Sequence, residues 1–249
     1  MNPNDAQQLI EQNILVLEHS AAIFVEQLPS PIYIDKPVGH FEYKNPDERT
    51  FAVLRCVRIV ADLRAASHLL AAGFVQQVGV LIRTTLEFSN DLDLIFEGSI
   101  QQGTPTSSTE KVERFFSEVF PNIANLVNET KKAPTIPRKK VYAVTGRLLG
   151  GRDPFRIQQI AKTEEDVYSG YVHGNYHHVM ELYNENRKKF EMMGQPDLIH
   201  SWQHNLAPIV HHVLNQFLAT ACLFGLQELS KVLIKQRVEL ESSALYENA

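Results

Sequence analysis

The chain has 249 residues, of which 44% are apolar and 21% charged, and its formal net charge is −5. This composition is that of an ordinary globular protein, and mild acidity disfavours general binding to polyanions such as nucleic acids and anionic membranes. The two cysteines form neither a disulfide framework nor a paired zinc-binding pattern. The most apolar run, 209–226, is interrupted by histidines and amides, which argues against a membrane span. We therefore expect a protein of the reducing cytoplasm.

Apolar residues recur with the period of an α-helix along most of the chain. A first helix is predicted over 4–28. The following segment, 29–46, is rich in proline and aromatic residues and is expected to be a connection with a short extended piece at Ile32–Ile34. Two helices, 47–72 and 74–97, are separated by a single glycine, which predicts a tight antiparallel hairpin or a kinked continuation.

The second half of the chain contains more breaks. A fourth helix is predicted over 109–130, with a kink at Pro121. A mobile basic linker near 131–153 is expected to include a short helix around 138–149. The fifth helix, 154–188, contains two glycines at which it could divide, Gly170 and Gly174.

The last helix is predicted over 197–242, with Pro208 as a kink or a junction. Together the elements predict an all-α fold. We expect one domain over 1–249, a multi-helix bundle with a helical hairpin at about 47–97 and a long C-terminal helix.

Histidines form two polar stripes on the last two predicted helices. In helical projection, Asp166, His173 and His177 lie together on the side of the fifth helix opposite its apolar residues. Since His173 and His177 are four residues apart, their rings are expected to meet on one helix face. On the last helix, the polar stripe consists of His200, His204 and His211.

If the two stripes converge, the imidazoles and Asp166 would share a pocket. His173, His177 and His204 are then candidate ligands of zinc or another divalent metal, with Asp166 as a ligand or base. The same groups could act in general acid–base catalysis, form a buried polar network, or face water. Neither an HExxH motif nor the Glu-x-x-His motif of di-iron bundles is present.

A charged strip runs along the third predicted helix. Arg83, Glu87 and Asp91 follow one another at spacings of four, and apolar residues surround them. This arrangement predicts a semi-buried position between helices, where a pair of charges would be structural or functional. An exposed ion pair worth less than about 1 kcal/mol is the other interpretation.

Basic residues and glycines are concentrated between residues 131 and 156. Lys139, Lys140, Arg147 and Arg152 are candidates for binding a phosphate or a nucleic-acid backbone, which makes RNA or a nucleotide a possible partner. The P-loop pattern GxxxxGK[ST] does not occur. The other interpretation of this segment is a solvated linker.

Two segments carry a resemblance to a family. "AAGFVQQVGVLIRTTLEFSNDLDLIFE" followed by "EDVYSGYVHGNYHH" resembles uncharacterised bacterial helical proteins grouped as HEPN-like, with Arg83, Glu87, Ser169 and His173 at the matching positions. The resemblance implies an all-helical bundle, frequent dimerisation and, in some members, RNA cleavage. Nuclease members carry an arginine and a histidine with four to six residues between them. Arg64 and His68 have only three between them, so the nuclease activity is not carried over.

Two hypotheses follow. The first is a cytosolic HEPN-like binding or assembly module that forms a homodimer through its last helix and its helical hairpin. The alternative is a metal-dependent hydrolase of a nucleotide or another phosphoester. In the alternative, the candidate catalytic residues are Arg83, Glu87, Asp166 and His173.

Overall fold

The computed structural model describes residues 2–35, 39–100, 107–117, 137–149 and 151–247. Within these residues the fold is an all-α multi-helix bundle with two short β-hairpins, which confirms the predicted fold class. Several helices pack against more than two neighbours, and the two hairpins lie in connections between helices.

The first helix, α1, spans Pro3–Glu26. It begins where the side chain of Asn2 accepts a hydrogen bond from the Asp5 backbone N–H, which satisfies one of the free amides at the helix end. Beyond it, β1 (Ile32–Ile34) pairs in antiparallel register with β2 (His40–Glu42). The predicted extended piece at Ile32–Ile34 is confirmed.

The predicted hairpin of helices is formed by α2 (Glu48–Ala71) and α3 (Val75–Ile100). The Asp47 carboxylate caps α2 by accepting from the Thr50 backbone N–H and hydroxyl. The chain then turns through Gly73, and α3 packs back along α2. The two helices are therefore an antiparallel pair and not one kinked helix.

The next helices are α4 (Ser107–Ser117) and α5 (Arg138–Leu149). The predicted continuation of α4 to residue 130, including Pro121, lies outside the described residues, as does the linker over 131–136. The short helix predicted around 138–149 is confirmed as α5. Val141 and Val144 of α5 are buried against Leu94 of α3, so this part of the basic segment packs on the bundle.

The fifth predicted helix ends earlier than expected. Helix α6 spans Pro154–Val172, a short α7 covers Tyr176–Met180, and β3 (Tyr183–Asn184) pairs with β4 (Lys189–Phe190). The break is at Gly174, whose φ of +61° is a left-handed conformation that favours glycine. The prediction of helix as far as 188 is therefore wrong.

The segment predicted as the last helix forms two helices followed by a short third helix. Helix α8 spans Pro196–Leu223, α9 spans Gln227–Glu241 and α10 spans Ala244–Glu247. The division occurs at Gly225, which has a φ of +70°, and the Leu226 N–H closes the end of α8 by donating to the Ala221 carbonyl. Pro208 lies inside α8, so no junction forms at that proline, and the helix predicted over 197–242 is divided at Gly225 instead.

The main core lies where α1, α2, α3 and α8 meet, and α9 packs over α1 and α8. Among the described helices, only α8 is long and apolar enough to cross a membrane, and 56% of its most apolar window is buried inside the protein, as in a core helix. The apolar faces of α8 and of the α2–α3 hairpin pack within the chain. They are therefore not the free faces that the expected dimer interface needs.

Candidate functional site

A cluster of charged groups lies where α3, α5 and α6 meet, and Arg83 of α3 is at its centre. Arg83 is only 9% exposed. Its Nε donates to Ser169 Oγ at 3.0 Å, one terminal nitrogen donates to Glu87 at 3.2 Å, and the other donates to Glu165 at 2.9 Å. Each of the three guanidinium nitrogens thus donates a hydrogen bond. These bonds offset the loss of hydration that burial of the arginine causes.

A second arginine completes the cluster from the outside. Arg138, the first residue of α5, lies 2.8 Å from Glu165 and 3.4 Å from Glu87. The two carboxylates thus each face the same two guanidiniums, and the four formal charges balance. We call Arg83, Glu87, Arg138 and Glu165 the Arg83 cluster.

The deep end of the Arg83 cluster is closed by an aromatic side chain. Tyr142 of α5 is buried, and burial raises the pKa of its phenol to about 12, with a hydrogen bond to the Glu165 carboxylate and the charge of that carboxylate acting in the same direction. Glu165 is itself buried. The neutral phenol therefore offers this carboxylate a donor in addition to the two arginines.

Helical spacing explains how the chain builds this cluster. Arg83 and Glu87 are one turn apart on α3, and Glu165 and Ser169 are one turn apart on α6. The third member of the predicted strip, Asp91, lies elsewhere and pairs with Arg55 at 2.9 Å and Lys111 at 2.8 Å. The predicted semi-buried position of Arg83 between helices is confirmed, and the interpretation as an exposed pair is wrong.

A second polar cluster lies between α3, α5 and α8. Asp93 is 1% exposed, and its two oxygens accept hydrogen bonds from Gln216 Nε2 and Thr145 Oγ1, each at 2.6 Å. Burial raises the pKa of the Asp93 carboxyl, while His212 on α8 acts in the opposite direction. Burial also raises the pKa of Glu164 on α6, again against the effect of His212. Sequence patterns gave no signal for this cluster beyond an acid between two leucines.

The candidate residues around the α6–α7 junction do not share a helix face. Helix α6 ends at Val172, so His173 is its C-cap and His177 belongs to α7. Both side chains are exposed. Asp166 is exposed as well and accepts from Lys162 Nζ at 2.5 Å. The three residues share one face only in an unbroken helix, and the division at Gly174, one of the two that the sequence allowed, separates His177 from the other two.

The second histidine stripe is covered by the end of the chain. The rings of His200 and His204 are 4.8 Å apart, and His204 Nδ1 lies 3.0 Å from the Leu245 carbonyl oxygen of α10. His211 packs against Tyr246 and lies 3.8 Å from Glu241. This stripe is a part-buried polar network, one of the interpretations that the sequence left open.

Among the described residues, no group of three or more His, Cys, Asp or Glu side chains is placed to hold a metal ion. The sequence left convergence of His173, His177 and His204 as one of several arrangements, and in this structure His173 and His177 are exposed, as in the water-facing one. The break at Gly174, one of the two glycines at which the sequence allowed the helix to divide, separates His173 from His177, and the unpredicted turn at Gly225 brings α9 and α10 back against α8.

The candidate phosphate-binding residues lie on α5 and the turn after it. Lys139, Lys140 and Arg152 are exposed, and they form no ion pair with any other described residue. Arg147 differs, since its Nε donates to Glu97 at 2.6 Å. Near the turn, Phe155 is 68% exposed. The structure thus leaves an exposed basic face with an exposed aromatic ring beside it.

Comparison of this chain with protein-family models, with curated proteins and with solved structures finds no match. The site is therefore interpreted from its own geometry.

Proposed function

We propose that this chain is a cytoplasmic HEPN-like binding module and that its partner is a polyanion such as RNA. The family analogy is supported by one contact. The hydrogen bond from Arg83 to Ser169 joins the two segments whose sequences carry the resemblance. Binding, and not cleavage, is proposed because the arginine–histidine spacing of the nuclease members is missing.

The charge distribution on α5 and α6 supports a polyanion as the partner. Residues 137–162 contain seven basic residues and one acidic residue, in a chain whose overall charge is −5. The remaining surface is correspondingly more acidic. A basic face on an acidic protein concentrates polyanions at one place and repels them elsewhere.

The spacing of the cations favours a strand over a mononucleotide. Lys139 and Lys140 lie near the start of α5, and Arg147 lies two turns further along, roughly 10 Å away at the 1.5 Å rise of a helix. Arg152 and Phe155 follow in the turn and the start of α6. Cations in a row with an aromatic ring at one end resemble the general plan of single-strand binding, in which phosphates contact cations and a base stacks on the ring.

A titration with fluorescently labelled single-stranded RNA tests the proposal. In the variant Lys139→Gln/Lys140→Gln, we expect weaker binding and a salt slope reduced by about 1 to 2, since each neutralised phosphate contact contributes about 0.7 for single strands. The matched control is Lys231→Gln/Lys235→Gln on α9, where two exposed lysines pair with neighbouring glutamates. Equal losses in both variants, or no RNA binding by the unaltered chain, would refute the proposal.

Self-association is part of the proposal. In place of α8 and the α2–α3 hairpin, the proposal uses one group of exposed apolar side chains along α6 and the segment after it; the group includes Ile160, Val167, Tyr176, Val179, Met192 and Met193. An exposed apolar surface of this kind is typical of an interaction site. We therefore place the dimer contact on this surface. The metal-dependent hydrolase has no comparable support, since its ligand set does not assemble among the described residues.

A further inference from the structure

The two arginines of the Arg83 cluster differ in how firmly they are held. Arg83 binds Glu87, Glu165 and Ser169, and its side chain is 11% exposed. The side chain of Arg138 is 44% exposed, and within the described residues it is paired with Glu87 and Glu165 only. Arg138 can therefore leave by rotating its own side chain, whereas Arg83 cannot leave without opening the α3–α6 contact.

Without Arg138, the remaining groups form a receptor for a cation. Glu87 and Glu165 would keep their positions because Arg83 still binds both of them from the inner side. The cluster would then hold two carboxylates against one guanidinium. Because Glu165 is buried, its uncompensated charge is costly, and a second cation from solution would relieve that cost.

The contacts of Arg138 indicate the shape of that cation. Two different nitrogens of its guanidinium face the two carboxylates, one at 2.8 Å from Glu165 and the other at 3.4 Å from Glu87. A planar fork of N–H groups can reach both carboxylates in this way, whereas an ammonium acts as a point charge.

We propose that Glu87 and Glu165 form a guanidinium-binding site, filled in this structure by Arg138 and open to an arginine-type ligand from outside when Arg138 swings away. Free guanidinium compounds and an arginine side chain of a peptide share this chemistry. The site is formed by carboxylates of α3 and α6 and does not rest on the RNA-binding proposal. It discriminates against anions, because its free groups are carboxylate oxygens.

The variant Arg138→Ala empties the site and allows a direct titration. Ethylguanidinium is added to the folded variant, and amide shifts of α5 and α6 are followed by NMR. We expect saturable binding that is about 10-fold tighter than that of ethylammonium, since the fork adds a second hydrogen bond worth about one factor of ten. In Arg138→Ala/Glu165→Gln, binding of ethylguanidinium should fall by about 10-fold or more.

Arg147→Ala is the matched control, because Arg147 lies on the same helix and also pairs with a glutamate, Glu97. Its titration should show no saturable guanidinium binding. Equal binding in both variants, or equal affinities for the two cations, would overturn the proposal. Arg138→Gln is titrated in parallel as a less severe truncation. Loss of folded signal in both Arg138 variants would also count against the proposal, because the fold would then require the Arg138 side chain to stay in its place.

Discussion

Gln216 on α8 donates a hydrogen bond to Asp93 on α3 across 2.6 Å, and the carbonyl oxygen of the same amide, Oε1, is buried without a hydrogen-bond partner in the described part of the chain. The other Asp93 oxygen is bound by Thr145 of α5. The Asp93 carboxylate thus links α3, α5 and α8 through hydrogen bonds from neutral donors. No arginine or lysine pairs with it among the described residues, and His212 acts on the Asp93 pKa against the effect of burial.

This arrangement predicts how stability depends on pH. Burial raises the pKa of Asp93 above its ordinary value of 3.8, so the folded state holds the proton to a higher pH than the unfolded state does. The resulting stabilisation is fully present below the unfolded pKa and is lost as pH rises through the folded pKa. Glu164 contributes with the same sign.

Asp93→Asn should therefore raise the free energy of unfolding at pH 7 by about 1–2 kcal/mol, because a buried charge is replaced by a neutral amide. Rotation of the Gln216 amide would let its free Oε1 accept from the new Asn Nδ2. Urea unfolding at pH 5 and pH 7.5 measures the effect, and the variant should show a flatter pH dependence than the unaltered chain. Asp166→Asn, an exposed site, is the control. A destabilised Asp93→Asn at both pH values would contradict the prediction.

Among the residues of the Arg83 cluster, Arg83 is predicted to cause the largest loss of stability when it is replaced. Arg83→Met removes the inner partner of the buried Glu165 and should lower the free energy of unfolding by about 3–5 kcal/mol. Lys162→Met, which breaks an exposed pair, should change it by less than about 1 kcal/mol. Chemical denaturation of both variants checks the difference. If Arg83→Met/Glu165→Leu were no more stable than Arg83→Met alone, the loss would not come from the stranded carboxylate.

The sequence predicted the parts of this site that depend on local spacing. The apolar period located α1, α2, α3 and α5, and the spacing of four placed Arg83 beside Glu87. It did not predict that Glu165 and Arg138 would join them, since these partners are far away in the chain and periodicity does not show which helix faces meet. The choice among the histidine arrangements depends on a local feature. A left-handed glycine and a helical glycine have the same letter, so the sequence leaves Gly170 and Gly174 as equal candidates for a break and does not indicate the turn at Gly225.

The exposed apolar side chains of α6 lead to a prediction about self-association. Sedimentation velocity over a wide range of concentrations should show a dimer, and Val167→Glu should shift the protein towards monomer. Val167 is 47% exposed, so the change is not expected to damage the core. Val232→Glu on α9 is the matched control, because that valine is similarly exposed on a different helix. A monomer at every concentration would remove self-association from the proposed function, while RNA binding would remain to be judged by its own titration.

The contact of His204 with α10 separates a structural role from the metal-binding role that the histidine pattern suggested. His204 Nδ1 lies 3.0 Å from the Leu245 carbonyl oxygen, and Leu245 is fully buried. If the imidazole holds α10 in place, His204→Ala should lower the free energy of unfolding by about 1 kcal/mol, the usual net value of one hydrogen bond. The loss should be the same with EDTA and with added zinc. His177→Ala, at an exposed position, should have little effect on stability in either condition. A zinc-dependent rise in the melting temperature of the unaltered chain that both substitutions abolish would instead show that these two histidines bind metal together, with α7 and α8 moving from the positions described for them.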